Sequence, residues 1–278
     1  MNRNAQESGN FLVLGHRGFL GQLLIKKLKS LDAQVRVLEA RLSIENVEGQ
    51  MKNNVDEGTT IFNCIASGVT PNTGGNLEND YANHKLIESL LGAFTKVEAK
   101  SFIHFASNYE DLNELQTDFG RNSYVSSKTQ GSDICRKYSV HDNRVHLVYL
   151  PTILDSSQPR GRFFADFLDA YISSQQFKIN FPKRQIQIMS SESFSSSIDQ
   201  LLGESITSNV HSFTPDASLT VSSFAQELNL ILRHLGQSPV DLQFPKDFSH
   251  VQDVLQDTQL SKELHGQLAL YVEQRIGR

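Results

Sequence analysis

With 278 residues the chain is long enough to bury a substantial core, and a make-up of 38% hydrophobic and 21% charged residues is that of an ordinary globular protein, with no run long and apolar enough to span a bilayer. Its 26 basic residues against 31 acidic ones leave a net charge of −5, and no Lys/Arg run interleaves with aromatics, which argues against nucleic acid as a partner. Two cysteines, Cys64 and Cys135, and nine scattered histidines without H-x-x-x-H or H-E-x-x-H spacing offer neither a disulfide framework nor a metal site, so no metal is expected.

The polar opening MNRNAQESGN lacks the apolar stretch of a secretory signal, so the expected location is cytoplasmic with no membrane partner. From Asn10 to about Leu150 short apolar runs alternate with amphipathic ones, which is how βα units of a parallel sheet present themselves. Strands are expected at Phe11–Leu14, Val35–Leu38, Thr60–Ile65, Ser101–Phe105 and Val145–Leu150. Helices are expected at Leu20–Leu31, Asp80–Phe94 and Tyr124–Tyr138, and the fold class that follows is α/β, a doubly wound parallel sheet. Beyond Pro151 the alternation lapses: DSSQPRGRFF reads as a lid, followed by a helix at Phe163–Ile172 and a short strand near Phe177–Phe181. In and after the serine-rich Met189–Ser197, Phe194, Ile198, Leu201 and Leu202 recur at helical spacing, which predicts a helix with one apolar face rather than a linker. A strand at Val210–Phe213, a helix at Val221–Leu235 and a C-terminal helix near Gln259–Arg278 complete the chain.

The first strand runs into FLVLGHRGFLGQLL, with Gly15, Gly18 and Gly21 between an apolar strand and an amphipathic helix. In that setting the first glycine permits a tight turn, the second lets backbone approach a pyrophosphate, and the third lets helix and strand pack closely, with Phe19 and Leu20 at the helix N-terminus whose amides face the anion. Residues 1–150 are thus expected to form a dinucleotide-binding Rossmann domain, and 151–278 a smaller mixed, mainly substrate-binding region with elements that return to the sheet. Twenty-four residues after Gly15 stands Glu39, placed to accept hydrogen bonds from the ribose hydroxyls of NAD. Against it stand Arg17 and Arg41, two guanidinium groups suited to the 2′-phosphate of NADP, which put NADP slightly ahead of NAD.

Tyr124 and Lys128 form Y-x-x-x-K, and a spacing of four on a helix puts both side chains on one face, one turn apart. A tyrosine is a poor base at neutral pH, but an ammonium one turn away favours the phenolate and makes proton exchange with a hydroxyl or carbonyl feasible. Seventeen residues upstream, SFIHFAS closes its strand with Ser107 at the carboxyl edge, where α/β sheets place ligands.

The G-x-x-G-x-x-G turn, followed in order by NCIAS, Ser107 and Tyr124/Lys128, resembles the extended short-chain dehydrogenase/reductases, the NAD-dependent epimerase/dehydratase family, over roughly residues 10 to 215. Members mostly act on nucleotide-activated sugars, and GHRGFLG is especially similar to the turn of the NADPH-using GDP-fucose synthases. The resemblance implies that Ser107 hydrogen-bonds the reacting oxygen, that Lys128 also holds the nicotinamide ribose, and that Asn83 organises a water near the lysine. It further implies that Ile65, Ala66 and Pro151 line the cofactor cleft, that Asn108 lies on the substrate side, and that two chains pair through the helices of Tyr124 and Asn83 as a homodimer.

Dehydratases of this kind carry an Asp-Glu pair directly after the strand-end Ser/Thr; here Asn108-Tyr109 stands instead, leaving a reductase of a nucleotide-linked 4-keto-6-deoxysugar or an epimerase. The C-terminal part is similar to deoxysugar reductases and synthases, which favours carbonyl reduction. Two departures affect the grip on the nucleotide: Ile186-Gln187-Ile188 replaces an arginine-containing motif, and Leu154-Asp155 replaces a Tyr-Gly pair. Arg160, Arg162, Lys183 and Arg184 are the cations available instead. The same erosion leaves open a non-catalytic NADP-binding regulatory subunit.

Overall fold

The computed structural model describes residues 9–38, 41–67, 76–108, 110, 123–203, 208–245, 248 and 260–277. In chain order the elements are β1 (Asn10–Leu14), α1 (Phe19–Lys29), β2 (Gln34–Val37), α2 (Val47–Asn54), β3 (Thr59–Asn63), α3 (Asn76–Asp80), a π-helical turn (Tyr81–Lys85), α4 (Leu86–Phe94), β4 (Ser101–Ser107), α5 (Ser123–His141) and β5 (Val145–Leu150). There follow β6 (Thr152–Leu154), α6 (Phe163–Ile172), β7 (Phe177–Lys178), β8 (Gln185–Ser190), α7 (Ser191–Gly203), β9 (Val210–Ser212), β10 (Ala217–Thr220), α8 (Val221–His234), β11 (Leu242–Gln243) and α9 (Lys262–Ile276). They fall into two compact units, Met1–Leu150 with Ile198–Phe213, and Pro151–Ser197 with Thr214–Arg278.

In the first unit six parallel strands take the order β2-β1-β3-β4-β5-β9. The inner strands are unbroken apolar runs because helices cover both faces of such a sheet, and Leu12, Val13, Ile61, Phe62, Leu147 and Val148 are completely buried. From β1 the chain goes to one side to form β2, then crosses back to form β3 on the other, so the strand order reverses between β1 and β3. That reversal opens a crevice at the carboxyl ends of the two strands, the general ligand position of open α/β sheets. On one face α4 packs Ile87, Leu90, Leu91 and Phe94, all fully buried, against Leu12, Phe102 and Leu147 of the sheet. Burial of each such side chain contributes roughly 1.5–3 kcal/mol before conformational entropy is charged.

Two features of this unit were not expected. Helix α2 buries only Val47 and Met51, one turn apart, too sparse a stripe to show in the sequence pattern. The helix expected from Asp80 starts at Asn76 and is broken by the π-helical turn around Asn83. That turn lies where α5 comes closest: a Cβ on Gly131 would stand 2.1 Å from the Asn83 carbonyl oxygen. The strand expected over Thr60–Ile65 ends at Asn63, and β4 ends at Ser107, the strand end expected from SFIHFAS and two residues beyond the apolar run to Phe105.

The second unit holds a three-stranded mixed sheet, order β10-β8-β6, and a two-stranded parallel pair, β11-β7. Thr220 and Ser261 begin α8 and α9 as side-chain caps, accepting from the Ser223 and Leu264 amides at 3.1 and 3.2 Å. The segment expected as a lid begins as a fixed turn: Asp155 accepts from the Ser157 amide at 2.8 Å, and Arg275 of α9 donates to the Ser156 and Gln158 carbonyls.

Candidate active site

The glycine turn has a geometry that other residues would spoil. Gly15 sits at φ +78°, and a Cβ there would meet the Cys64 and Ile65 backbone at 2.8 Å, so the turn after β1 lies directly on the chain leaving β3. Its carbonyl accepts the Gly18 amide at 3.0 Å, and a Cβ on Gly21 would lie 2.3 Å from that same oxygen. Gly18 is exposed and opens α1 as an N-cap without a side-chain hydrogen bond, and the first turn of α1 carries no acidic residue. Lysines Lys26, Lys27 and Lys29 lie in the last turn, in keeping with the helix dipole. The amides at the N-terminus are thereby left to an outside anion, with Gly15 and Gly21, lacking Cβ, letting the turn close against the chain leaving β3 and against α1, and these residues fit the pyrophosphate of a dinucleotide. Phe19 and Leu20, half-buried, form the first residues of this helix.

Across the sheet edge, α5 opens with Ser123, so Tyr124 stands in its first turn, half-buried, and Lys128 follows one turn on. Lys128 is 3% exposed and donates from Nζ to the Phe105 carbonyl oxygen at 2.9 Å, which ties the helix to β4 two residues before Ser107. Burial lowers its proton affinity below that of an ordinary lysine, and the carboxylate of Glu110 works in the opposite direction. Ser107 is the last residue of β4, paired in register with Leu150.

Asn83 is completely buried and fully engaged. Its Oδ1 accepts the Ser67 amide at 2.9 Å, while its Nδ2 donates to the Ser67 carbonyl at 2.9 Å and to Ser127 Oγ at 3.0 Å. The side chain therefore clamps the chain leaving β3 to α5, and its own carbonyl faces Gly131. These contacts hold the chain leaving β3 against α5, and the π-helical turn around Asn83 supplies the bulge there.

The profile of the NAD dependent epimerase/dehydratase family matches residues 11–153, more than half of the chain. The chain belongs to that family. Membership makes it an enzyme. A search of curated proteins by sequence finds no match. Among solved structures, UDP-glucuronic acid 4-epimerase from Bacillus cereus with UDP-glucuronic acid and NAD superposes with a TM-score of 0.71 at 15% identity, over 95% of this chain and 99% of that one. MoeE5 with UDP-glucuronic acid and NAD gives 0.71 at 15% over 95% and 98%. The dTDP-4-dehydrorhamnose reductase from Bacillus anthracis with NADP gives 0.68 at 14% over 87% and 86%. At such identities these are likenesses of fold, and they agree with the Rossmann-type sheet of this family member.

The other expected residues are distributed as follows. Ile65 is half-buried and packed on the apolar core, its amide donating to Asn63 Oδ1 at 3.1 Å, and Ala66 is exposed beside it. Arg17, in the glycine turn, and Arg41, beyond β2, are exposed. Glu39 lies outside the described residues. Asn108 continues the chain from Ser107, and Pro151 follows β5 directly. Arg160, Arg162 and Arg184 belong to the second unit, and Arg160 there pairs with Asp169 at 2.8 Å.

Three buried polar residues of this edge were missed by sequence reasoning. Glu110, 5% exposed, accepts the Ser107 amide on Oε1 at 2.8 Å. His104 and Asn63, both completely buried and paired in register, meet at 3.0 Å between Nδ1 and Nδ2. Since Asn63 Nδ2 has only hydrogens to offer, His104 Nδ1 is the acceptor, and burial with the nearby Lys128 charge holds the ring well below the ordinary histidine range. An apolar strand interrupted by His and Asn at matching positions was the available signal, since buried polar groups need partners.

Proposed function

We propose that the protein is an NADP(H)-dependent reductase of a nucleotide-linked 4-keto-6-deoxysugar. The observation that carries this reading is the join of three pieces on one sheet edge: the uncapped glycine turn at the β1/β3 reversal, Ser107 closing β4, and Tyr124 with the buried Lys128 opening α5. Gly15, Gly18 and Gly21 with the first amides of α1 would hold the pyrophosphate, Ile65, Ala66 and Pro151 would line the nicotinamide side, and Arg17 and Arg41 would take the 2′-phosphate. When bound, the coenzyme supplies the hydride. The chain manages the proton: Ser107 holds the substrate oxygen by its hydroxyl, Tyr124 delivers a proton to that oxygen as it gains negative charge, and the Lys128 ammonium lowers the cost of the phenolate left behind. Asn108, Arg160, Arg162 and Arg184 are the groups assigned to the nucleotide-sugar side.

A second reading, an NAD-dependent epimerase, draws support from the nucleotide-sugar epimerase among the similar folds, a protein described with NAD. The two readings part on coenzyme use: a reductase consumes NADPH stoichiometrically, whereas an epimerase purifies with retained NAD and consumes none. Purified protein given a nucleotide 4-keto-6-deoxysugar is expected to oxidise NADPH, and Tyr124→Phe to lose that turnover while keeping its coenzyme affinity. Unchanged turnover in the variant would reject the mechanism, and coenzyme binding without any sugar-nucleotide binding would point to a regulatory subunit.

A further inference from the structure

Glu110 stands three residues past Ser107, inside the protein. One carboxylate oxygen, Oε1, accepts the Ser107 amide at 2.8 Å; the other, Oε2, is buried with no hydrogen-bond partner among the described residues. An ionised carboxyl withdrawn from water is costly unless a cation answers it, and a local turn needs only one acceptor atom, which a neutral glutamine would supply equally well. Among the described residues the buried cation of this edge is Lys128, anchored to the strand that Glu110 itself anchors.

Among the described residues the Lys128 ammonium interacts through charge with Cys64 from the chain after β3, His104 from β4, Cys135 on α5 itself and Glu110, while Tyr124 stands one turn back on α5. At neutral pH most of these are uncharged. Burial pushes both thiols up, Cys135 to about 12, and His104 accepts from Asn63 as a neutral ring. Among the described residues Glu110 exerts the largest pull opposing the effect of burial on the lysine.

We propose that Glu110 is a positioning residue of this site, whose carboxylate fixes the Ser107 end of β4 through one oxygen and balances the Lys128 ammonium through its charge. It acts through Lys128 and so rests on the role given to that lysine above. A turn cap without electrostatic purpose is the competing account, and Glu110→Gln separates the two because it keeps an acceptor for the Ser107 amide while removing the charge.

The sign is fixed by the geometry. Without the carboxylate the ammonium loses its proton more readily, so whatever depends on that ammonium fails at lower pH as the solution is made alkaline. In the full-length protein, NADPH affinity and NADPH consumption measured against pH are expected to show an alkaline limb moved down by about one pH unit or more in Glu110→Gln, with Glu110→Asp restoring much of it. A limb that coincides with wild type reduces Glu110 to a turn cap, whatever happens to the rate. Should no sugar nucleotide ever be reduced, the proposed reaction fails while the pH dependence of NADPH affinity still decides the role of Glu110.

Discussion

At the carboxyl edge of the first unit the polar groups lie inside, Lys128 at 3% exposure and Asn83 at none, and each is tied to main chain, the lysine to the Phe105 carbonyl and the asparagine to both backbone groups of Ser67. In the second unit the arginine side chain of Arg160 is 84% exposed and leans on Asp169 within its own unit. On the proposed reaction, the difference would follow from what each kind of group is asked to do. A proton donor and its ammonium must be held within a fraction of an ångström of a working geometry, which calls for burial and fixed partners. Recognition of a diphosphate would ask instead for charge and reach, which an exposed arginine such as Arg160 can supply without a fixed spacing.

The contrast can be broken most sharply at Tyr124. Tyr124→Phe is expected to lower turnover by about a hundred- to ten-thousand-fold, the usual worth of general acid–base catalysis, with NADPH affinity nearly unchanged in a parallel titration. At Gly131, where an added Cβ would press on the Asn83 carbonyl at 2.1 Å, alanine is expected to cost about 1–3 kcal/mol in a denaturant melt, because α5 must back away from the π-helical turn. If that loss is absent, the close approach of α5 is not what sets the bulge.

Lys128 supplies a test in which function and stability move oppositely. Burial holds its proton affinity below the ordinary 10.5, so the unfolded chain keeps this proton at pH values where the folded protein has begun to lose it. Stability from this group therefore rises with pH through the window ending at 10.5, while activity that needs the ammonium falls there. Melts of wild type and Lys128→Met across that window are expected to converge as pH rises, and rate profiles to decline over the same range. The smallest effect is expected in the second unit: Arg160→Ala should raise KM by only a few-fold, since an exposed pair is worth about 0–1 kcal/mol and other cations share the work. A hundredfold loss there would show that the two units do not divide their labour in this way.

How much of this was readable beforehand follows the same physics. The strands of the sheet are continuous apolar runs, so β1, β3, β4 and β5 were found within one or two residues of their ends, and the turn glycines and the Tyr124/Lys128 spacing are local patterns that declare themselves. Helix α2 escaped because Val47 and Met51 alone carry its buried face. Strand β8 alternates exposed and buried residues from Gln185 to Ile188, a usable strand signal that was read only as a missing arginine motif. The bulge at Asn83 depends on Gly131 meeting it in space, and no window of local sequence contains that information, whereas Glu110 caps Ser107 only three residues away, a local S-x-x-E pattern that went unread.

The central claim is that the turn from Gly15 to Gly21 takes the phosphates of a nicotinamide coenzyme. The measurement closest to it is a calorimetric titration of the wild-type protein and of Gly21→Val with NADP+ and NAD+, with circular dichroism to confirm that both are folded. Saturable binding in the wild type and its loss in the folded variant is the predicted result; no heat from either coenzyme in the wild type, or equal binding by both proteins, would contradict it.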